Sequence, residues 1–498
     1  MTTQDSATRA QALIDALPTG LLIDGEWGEA SSGRRLDVVN PATAQVVATV
    51  ADGGEKDALA AIEAAARAQR EWGQTPPRAR SEILRRAYEL VMERQEDLAL
   101  VMTTEMGKPV AEARGEVAYA AEFLRWFSEE AVRIGGDATM SGDGGTRIIC
   151  TREPVGPSVL VTPWNFPLAM GARKIGPAVA AGCTMVFKPS ELTPLCSLAL
   201  AEILVEAGLP PGVLNLVCTS DPGSVVSPWM SSGLARKVTF TGSTAVGVKL
   251  LEQAAQHVMR TSMELGGNAP FIVFDDADLD EAVAGAMVAK MRNMGEACTA
   301  ANRIFVQRGV VEEFTTKLAE RMGGLRTGDG TEDGVQVGPL VGPPALDKVE
   351  RLVGDALQRG ARVVVGGQRP DHPGYFYPPT VLADVSPESA LMSEEIFGPV
   401  APVLAFDTEE EVVALANDTA WGLVGYLFTR DVDRGFRMSE AIEVGMLGLN
   451  TGLVSNPAAP FGGIKASGVG REGGRVGIEE FLEIKYLAMP RRTVGSGP

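Results

Sequence analysis

Histidine is almost missing: the 498 residues hold two, His257 and His372. Ser-His-Asp and Cys-His hydrolases both need an imidazole base, so any chemistry here must take its base from another residue type. His257 falls late in a predicted helix and His372 in the loop Pro370-Asp371-His372-Pro373-Gly374, and neither setting suits a catalytic base. Cysteine is scarce as well. The five copies (Cys150, Cys183, Cys196, Cys218, Cys298) are scattered, form no CxxC and are odd in number. That argues against a disulfide framework and against a zinc site, and predicts a cytoplasmic location with no metal. No run approaches the roughly 18 apolar residues of a membrane-spanning helix. Residues 1–20 carry acids and no apolar core segment, so no signal peptide is expected. Basic residues are outnumbered, 45 against 64 acidic, for a formal charge of -19. Such a surface is a poor match for nucleic acid or an anionic membrane.

What is present is a long, soluble-type chain, 45% hydrophobic and 22% charged, sufficient for two or three domains. In its middle, short apolar runs alternate with helical patterns. Strands are predicted at 158–162 (SVLVT), 184–188 (TMVFK), 213–217 (VLNLV) and 237–241 (KVTFT). Helices are predicted up to 181, over 195–206 and over 243–257, with a further segment from 221. Strands apolar on both faces and separated by helices are the signature of parallel βαβ units. A second block predicts strands at 271–274, 303–306, 362–365 and 402–406 and helices over 278–291, 311–325 and 346–357. Two α/β domains therefore meet near residues 264–268. The Gly- and Asp-rich stretch 135–150 reads as an excursion, and 481–488 (FLEIKYLA) as an apolar strand whose exposed edge would favour self-association.

Cys298, in Gly295-Glu296-Ala297-Cys298, follows a helix and a glycine. A thiolate is the strongest nucleophile among ordinary side chains, although taken alone the residue reads more readily as a buried structural thiol. Glu264 precedes Leu265-Gly266-Gly267 and could approach a site closely; alone it reads as a solvated loop acid. Asn165, just past a strand's C-terminal end, offers an amide donor for an oxyanion, or is simply a turn residue beside proline. Gly468-Val469-Gly470-Arg471-Glu472-Gly473 matches GxGxxG by letter but follows no convincing strand, so it is rejected as a dinucleotide fingerprint. Phe240-Thr241-Gly242-Ser243 lies at a strand-to-helix junction, where an anion is favoured.

In order, 162–167 (TPWNFP), 188–191 (KPSE), 240–243, 264–268 (ELGGN), 295–298, 394–399 (EEIFGP) and 460–463 (PFGG) resemble the aldehyde dehydrogenase superfamily across nearly the whole chain. The resemblance implies an α/β fold: a Rossmann-type cofactor domain (1–133 and 154–265), an α/β catalytic domain (266–470) and a small β oligomerisation element (134–153 and 471–498). It implies that Cys298 attacks an aldehyde, that Asn165 helps hold the oxyanion, and that Glu264 activates the water that hydrolyses the thioester. Lys174 and Glu472 match positions linked to proton movement. Cofactor contacts fall on Thr162, Pro163, Trp164, Lys188, Ser190, Glu191, Gly242, Ser243, Gly266, Glu395 and Phe397. Glu191 would accept bonds from ribose hydroxyls and repel a 2′-phosphate, which favours NAD over NADP.

Within the superfamily the likeness is to succinate-semialdehyde dehydrogenases. Arg173, Arg292 and Ser455 match that group's carboxylate site, and an Arg pair suits an anionic tail. Phe166 and Phe461 would line the substrate path, and a homodimer or homotetramer is implied. Glutarate semialdehyde, a neutral aldehyde and, in another class, thiol ester hydrolysis are the rival readings. Three positions depart from the pattern. Glu296 replaces the usual Gln and is expected to point away from the thiol. Ala300 stands where some members carry a second Cys. Ser190 replaces the commoner Ala.

Overall fold

The computed structural model describes residues 3–492; the outermost parts of the expected cofactor domain and oligomerisation element, 1–2 and 493–498, lie outside them. Two large sheets carry the fold. In the first, the strands Leu214–Leu216, Met185–Lys188, Ser158–Val161, Lys237–Thr241 and Arg260–Glu264 run parallel in that order. An antiparallel hairpin (Leu21–Ile23, Glu26–Gly28) closes one edge and Gly468–Val469 the other. All five inner strands except the start of Arg260–Glu264 are buried on both faces, as helix-covered parallel sheets require. The N-terminal helices Glu55–Gln74, Pro77–Glu93, Gln95–Met106 and Val110–Ala131 contribute to that cover.

The second sheet runs Arg362–Val365, Thr380–Ala383, Val400–Phe406, Ala301–Gln307, Ala269–Val273, Val424–Phe428, Met446–Leu449. Period-two alternation splits its side chains between two cores: Phe271, Val273, Ile304 and Val306 face one helical layer, Ile272, Phe274 and Phe305 the other, because successive strand side chains point to opposite faces. The last parallel strand of the first sheet ends at Glu264, and Ala269–Val273 of the second sheet follows it in the chain. A third, antiparallel sheet joins Asp137–Met140, Thr146–Pro154 and Leu482–Pro490.

Some boundaries move. The helix Thr244–Ala255 stops before His257, which lies in the following turn rather than in the helix. The Gly468–Val469 bridge returns the chain to the first sheet inside the span expected for the catalytic domain. It pairs antiparallel with Met263 and Glu264, and the next helix, the single turn Val476–Glu479, begins only after the motif, so the GxGxxG there does not open a helix as phosphate binding requires.

Candidate active site

Strand ends aim the site. The C-terminal ends of Ser158–Val161 and Lys237–Thr241 open into a cleft of about 550 Å³, lined among others by Pro163, Trp164, Asn165, Gly242, Ser243, Glu264, Gly266, Cys298, Glu395 and Phe397. Open α/β sheets gather ligands at this end. Trp164 and Phe397 meet edge-to-face at 5.6 Å. Ser243 caps the helix Thr244–Ala255, its Oγ accepting the Val246 N–H. At the next strand end, Lys188 donates to Glu191 at 2.7 Å and the Ser190 hydroxyl accepts the Leu192 N–H. The hydroxyls of Thr162 and Thr241 are buried without a partner. Glu395 accepts the Gly267 N–H at 3.1 Å; burial raises its pKa to about 7 against the pull of that bond.

The nucleophile loop is bent by three successive left-handed residues, Asn293, Met294 and Gly295. Only the last is free of a Cβ penalty. It must be glycine in any case, since a Cβ would sit 2.2 Å from the Gly398 carbonyl oxygen. Glu112 accepts the Asn293 N–H at 2.6 Å, and the Asn293 amide donates to the carbonyls of Asn165 and Glu296. These bonds offset the strain of the kink. Cys298 then faces the cleft, partly buried. Loss of solvent pushes its thiol up to about 12; Arg173 and Arg292 favour the thiolate, Glu395 and Glu264 oppose it.

Asn165 donates one amide hydrogen to the Glu296 carbonyl at 3.0 Å, which fixes the amide orientation and leaves a second N–H. Glu264 is 3% exposed, and among the described residues neither carboxylate oxygen has a hydrogen-bond partner. Its Oε1 lies against Gly462, where a Cβ would approach to 2.8 Å. Burial first, and the Glu472 charge second, hold its pKa well above the ordinary range. Glu472 shows the reverse: burial alone would raise it, but Arg173 and Lys174 outweigh burial and it stays an anion. Lys174 also donates to Thr239 at 2.9 Å.

Arg292 and Ser455 come together at 3.3 Å on a second cavity of about 300 Å³ that also holds Phe166 and Tyr119. The guanidinium rests 4.9 Å from the Phe166 ring and has no carboxylate within ion-pair distance among the described residues. Arg173 is 1% exposed, paired with Glu472 and 4.3 Å from the Phe461 ring, and its charge acts on Tyr119. Arg292 borders the cavity, and Arg173 is held by Glu472 and the Phe461 ring; both cations act on Tyr119 and Cys298.

Sequence reasoning missed the frame behind these groups. Glu116, buried, accepts the Leu168 and Ala169 N–H groups and so caps the helix Pro167–Ala181 that carries Arg173 and Lys174. Lys108 bonds both Glu116 and the Asn165 carbonyl. Glu112, Glu116 and Tyr119 share one face of the helix Val110–Ala131. The available signal was an acid inside the apolar stripe Ala113, Val117, Ala120, Leu124.

The chain is 57% identical over 89% of its length to the succinate-semialdehyde dehydrogenase of Paenarthrobacter nicotinovorans, 99% of which is covered. It is 51% identical over 94% of its length to the glutarate-semialdehyde dehydrogenase of Pseudomonas putida, 97% of which is covered. The crystal structure of an E. coli NADP-dependent enzyme superposes with a TM-score of 0.94 at 49% identity, over 96% of this chain and 99% of that one. The sequence profile of the aldehyde dehydrogenase family matches residues 27–487. The chain belongs to the aldehyde dehydrogenase family.

Proposed function

We propose that the protein oxidises succinate semialdehyde to succinate with NAD as the electron acceptor. The observation that carries the substrate is Arg292: a part-buried guanidinium with no carboxylate of its own, 3.3 Å from the Ser455 hydroxyl in the cavity beside Phe166. A desolvated cation beside a hydroxyl suits a carboxylate tail, whereas a neutral aldehyde would favour apolar walls. The semialdehyde enzyme of Paenarthrobacter nicotinovorans supports the same reading.

A nicotinamide dinucleotide fits the larger cleft. The unpartnered hydroxyls of Thr162 and Thr241, the capped helix start at Ser243 and the Lys188–Glu191 pair offer it hydrogen bonds, and Trp164, Phe397 and Gly266 line its path. Glu395 is placed to hold the nicotinamide ribose. When bound, the cofactor accepts the hydrogen and electron pair leaving the aldehyde carbon. The rest falls to the protein. The Cys298 thiol passes its proton to solvent water as its sulfur attacks the carbonyl carbon, with Arg173 and Arg292 favouring the thiolate. The remaining Asn165 N–H and the Cys298 backbone N–H receive the developing oxyanion. Glu264 then takes a proton from the water that cleaves the thioester, and Lys174 and Glu472 carry that proton away.

Absorbance at the reduced-nicotinamide band, with succinate semialdehyde, glutarate semialdehyde and propanal against NAD and NADP, tests this directly. Succinate semialdehyde with NAD should have the highest kcat/KM; a preference for propanal would sink the substrate assignment. Two second readings rest on relatives: glutarate semialdehyde on the Pseudomonas putida enzyme, and NADP on the E. coli enzyme. Arg292→Leu should raise KM for succinate semialdehyde about 10- to 100-fold, the worth of a charge-assisted bond, and leave propanal nearly unaffected. Arg173→Ala should instead lower kcat for both, because it strips Glu472 of a partner.

A cytoplasmic homodimer or homotetramer completes the proposal. In the third sheet Ile484, Tyr486, Leu487 and Met489 are exposed, and its outer strands have free edges, as does Met446–Leu449 in the second sheet. Apolar side chains on open edges favour a second copy. Sedimentation equilibrium should give two or four chain masses; a monomer at micromolar concentration contradicts it.

A further inference from the structure

Glu296 stands two residues before Cys298 and is fully buried, 0% exposed. Its side chain turns from the sulfur: Oε1 accepts the Val341 N–H at 3.1 Å, and Oε2 meets no donor. Its neighbours supply little positive charge. The nucleophile loop presents the neutral Asn293 amide, and the 341–345 segment presents a backbone N–H. The ammonium of Lys108, the cation acting on it, is already bonded to Glu116 and the Asn165 carbonyl. A carboxylate here would be a desolvated anion with one hydrogen bond, a costly state. Burial accordingly raises the carboxyl pKa well above its ordinary value, against the weaker pull of Val341 and Lys108.

The same residue ties three parts of the site. Its carbonyl accepts hydrogen bonds from the amides of Asn165 (3.0 Å) and Asn293 (2.8 Å). Its side chain holds Val341, which with Gly342 and Pro343 forms a wall of the cleft. We infer that Glu296 works as a neutral carboxylic acid that positions the Asn165 amide and the Val341 wall, and that its ionisation at alkaline pH loosens both. The kinetic half of this inference rests on Asn165 and Cys298 being the reacting centre; the stability half does not. Glu296 is a positioning residue, and an amide in its place would make the Val341 bond with no proton to lose.

The sign follows from linkage. The folded state holds a proton that the unfolded chain releases, so stability at this position falls as pH rises from the ordinary Glu range towards the folded value. Glu296→Gln removes that loss. Its Tm relative to wild type should therefore climb with pH, by about 2 °C or more between pH 6 and pH 9. Wild-type kcat should fall on the alkaline side of its optimum, while Glu296→Gln holds its rate to higher pH. At pH 7, Glu296→Ala should run about tenfold or more slower than Glu296→Gln, through loss of the Val341 bond. A merely space-filling role would lower the Tm of Glu296→Ala and leave the pH profile alone. The inference is overturned by a Tm difference between Glu296→Gln and wild type that does not change with pH, or by an alkaline fall in kcat that Glu296→Gln shares. Absence of aldehyde oxidation in the wild type would count against the substrate reading and leave the Tm comparison standing.

Discussion

Cys298→Ala should lower aldehyde oxidation on the order of 10⁴-fold or more while leaving dinucleotide binding within about threefold of wild type. The size follows from covalent catalysis: without the sulfur no thioester forms, and the remaining oxyanion donors have nothing to stabilise. Alanine removes a single sulfur atom from a partly buried position whose backbone is fixed by Asn293 and Gly295, so the fold should tolerate it. Initial rates and cofactor titration of the same preparation separate the two effects. Residual oxidation above about 1% of wild type would mean that Cys298 is not the nucleophile. A companion pH result follows from the thiol, which burial pushes up to about 12, and from Glu264, which burial holds well above its usual range. The thiol therefore holds its proton at neutral pH in the free enzyme. The pre-steady-state burst should therefore speed up as pH rises from 6 to 9; a burst rate flat over that range would contradict a thiol at rest.

Glu472→Gln should cost about 3–5 kcal/mol of stability, the typical penalty for removing one member of a buried ionic cluster. Glu472 is the carboxylate that pairs with both Arg173 and Lys174. Without it, two buried cations must share Glu264. Glu264 also loses the Glu472 charge that helps keep it neutral, so it should ionise and bind Lys174 instead of serving the water. Slow thioester hydrolysis follows, seen as a full burst ahead of a steady-state rate reduced about tenfold or more. Because the folded pKa of Glu472 lies below its ordinary value, its stabilisation is complete above the ordinary carboxylate range and fades only as pH falls through the lowered folded value. The stability gap should accordingly persist from pH 5 upward and close in strong acid. A gap that widens toward acid, or a variant with wild-type turnover, would refute the cluster's role.

Legibility differed between residues for physical reasons. Cys298, Glu264 and Asn165 stand in short segments whose local backbone already serves the chemistry, such as the Gly295 bend and the strand end before Pro163, and the structure gathers all three on one cleft. The strand pattern was readable because helix-covered parallel strands are apolar on both faces, as Lys237–Thr241 and Met185–Lys188 are. Helices of the N-terminal region were not read, and with them went Lys108, Glu112, Glu116 and Tyr119. Their partners lie far along the chain: Glu116 serves Leu168 and Ala169, and Glu112 serves Asn293.

By itself the sequence determined the α/β class and the near-lack of histidine, because composition and strand periodicity are local; the roles expected of Cys298, Glu264 and Asn165 came only from the resemblance of their segments to the family. Only the tertiary structure decided which charges meet. It set Arg173 against Glu472, left Arg292 with no carboxylate within ion-pair distance among the described residues, and bonded the Glu296 side chain to the Val341 N–H. Charge state depends on desolvation and on neighbours within a few ångströms, and those neighbours come from segments well separated along the chain, 45 residues for Glu296 and Val341 and 163 for Arg292 and Ser455.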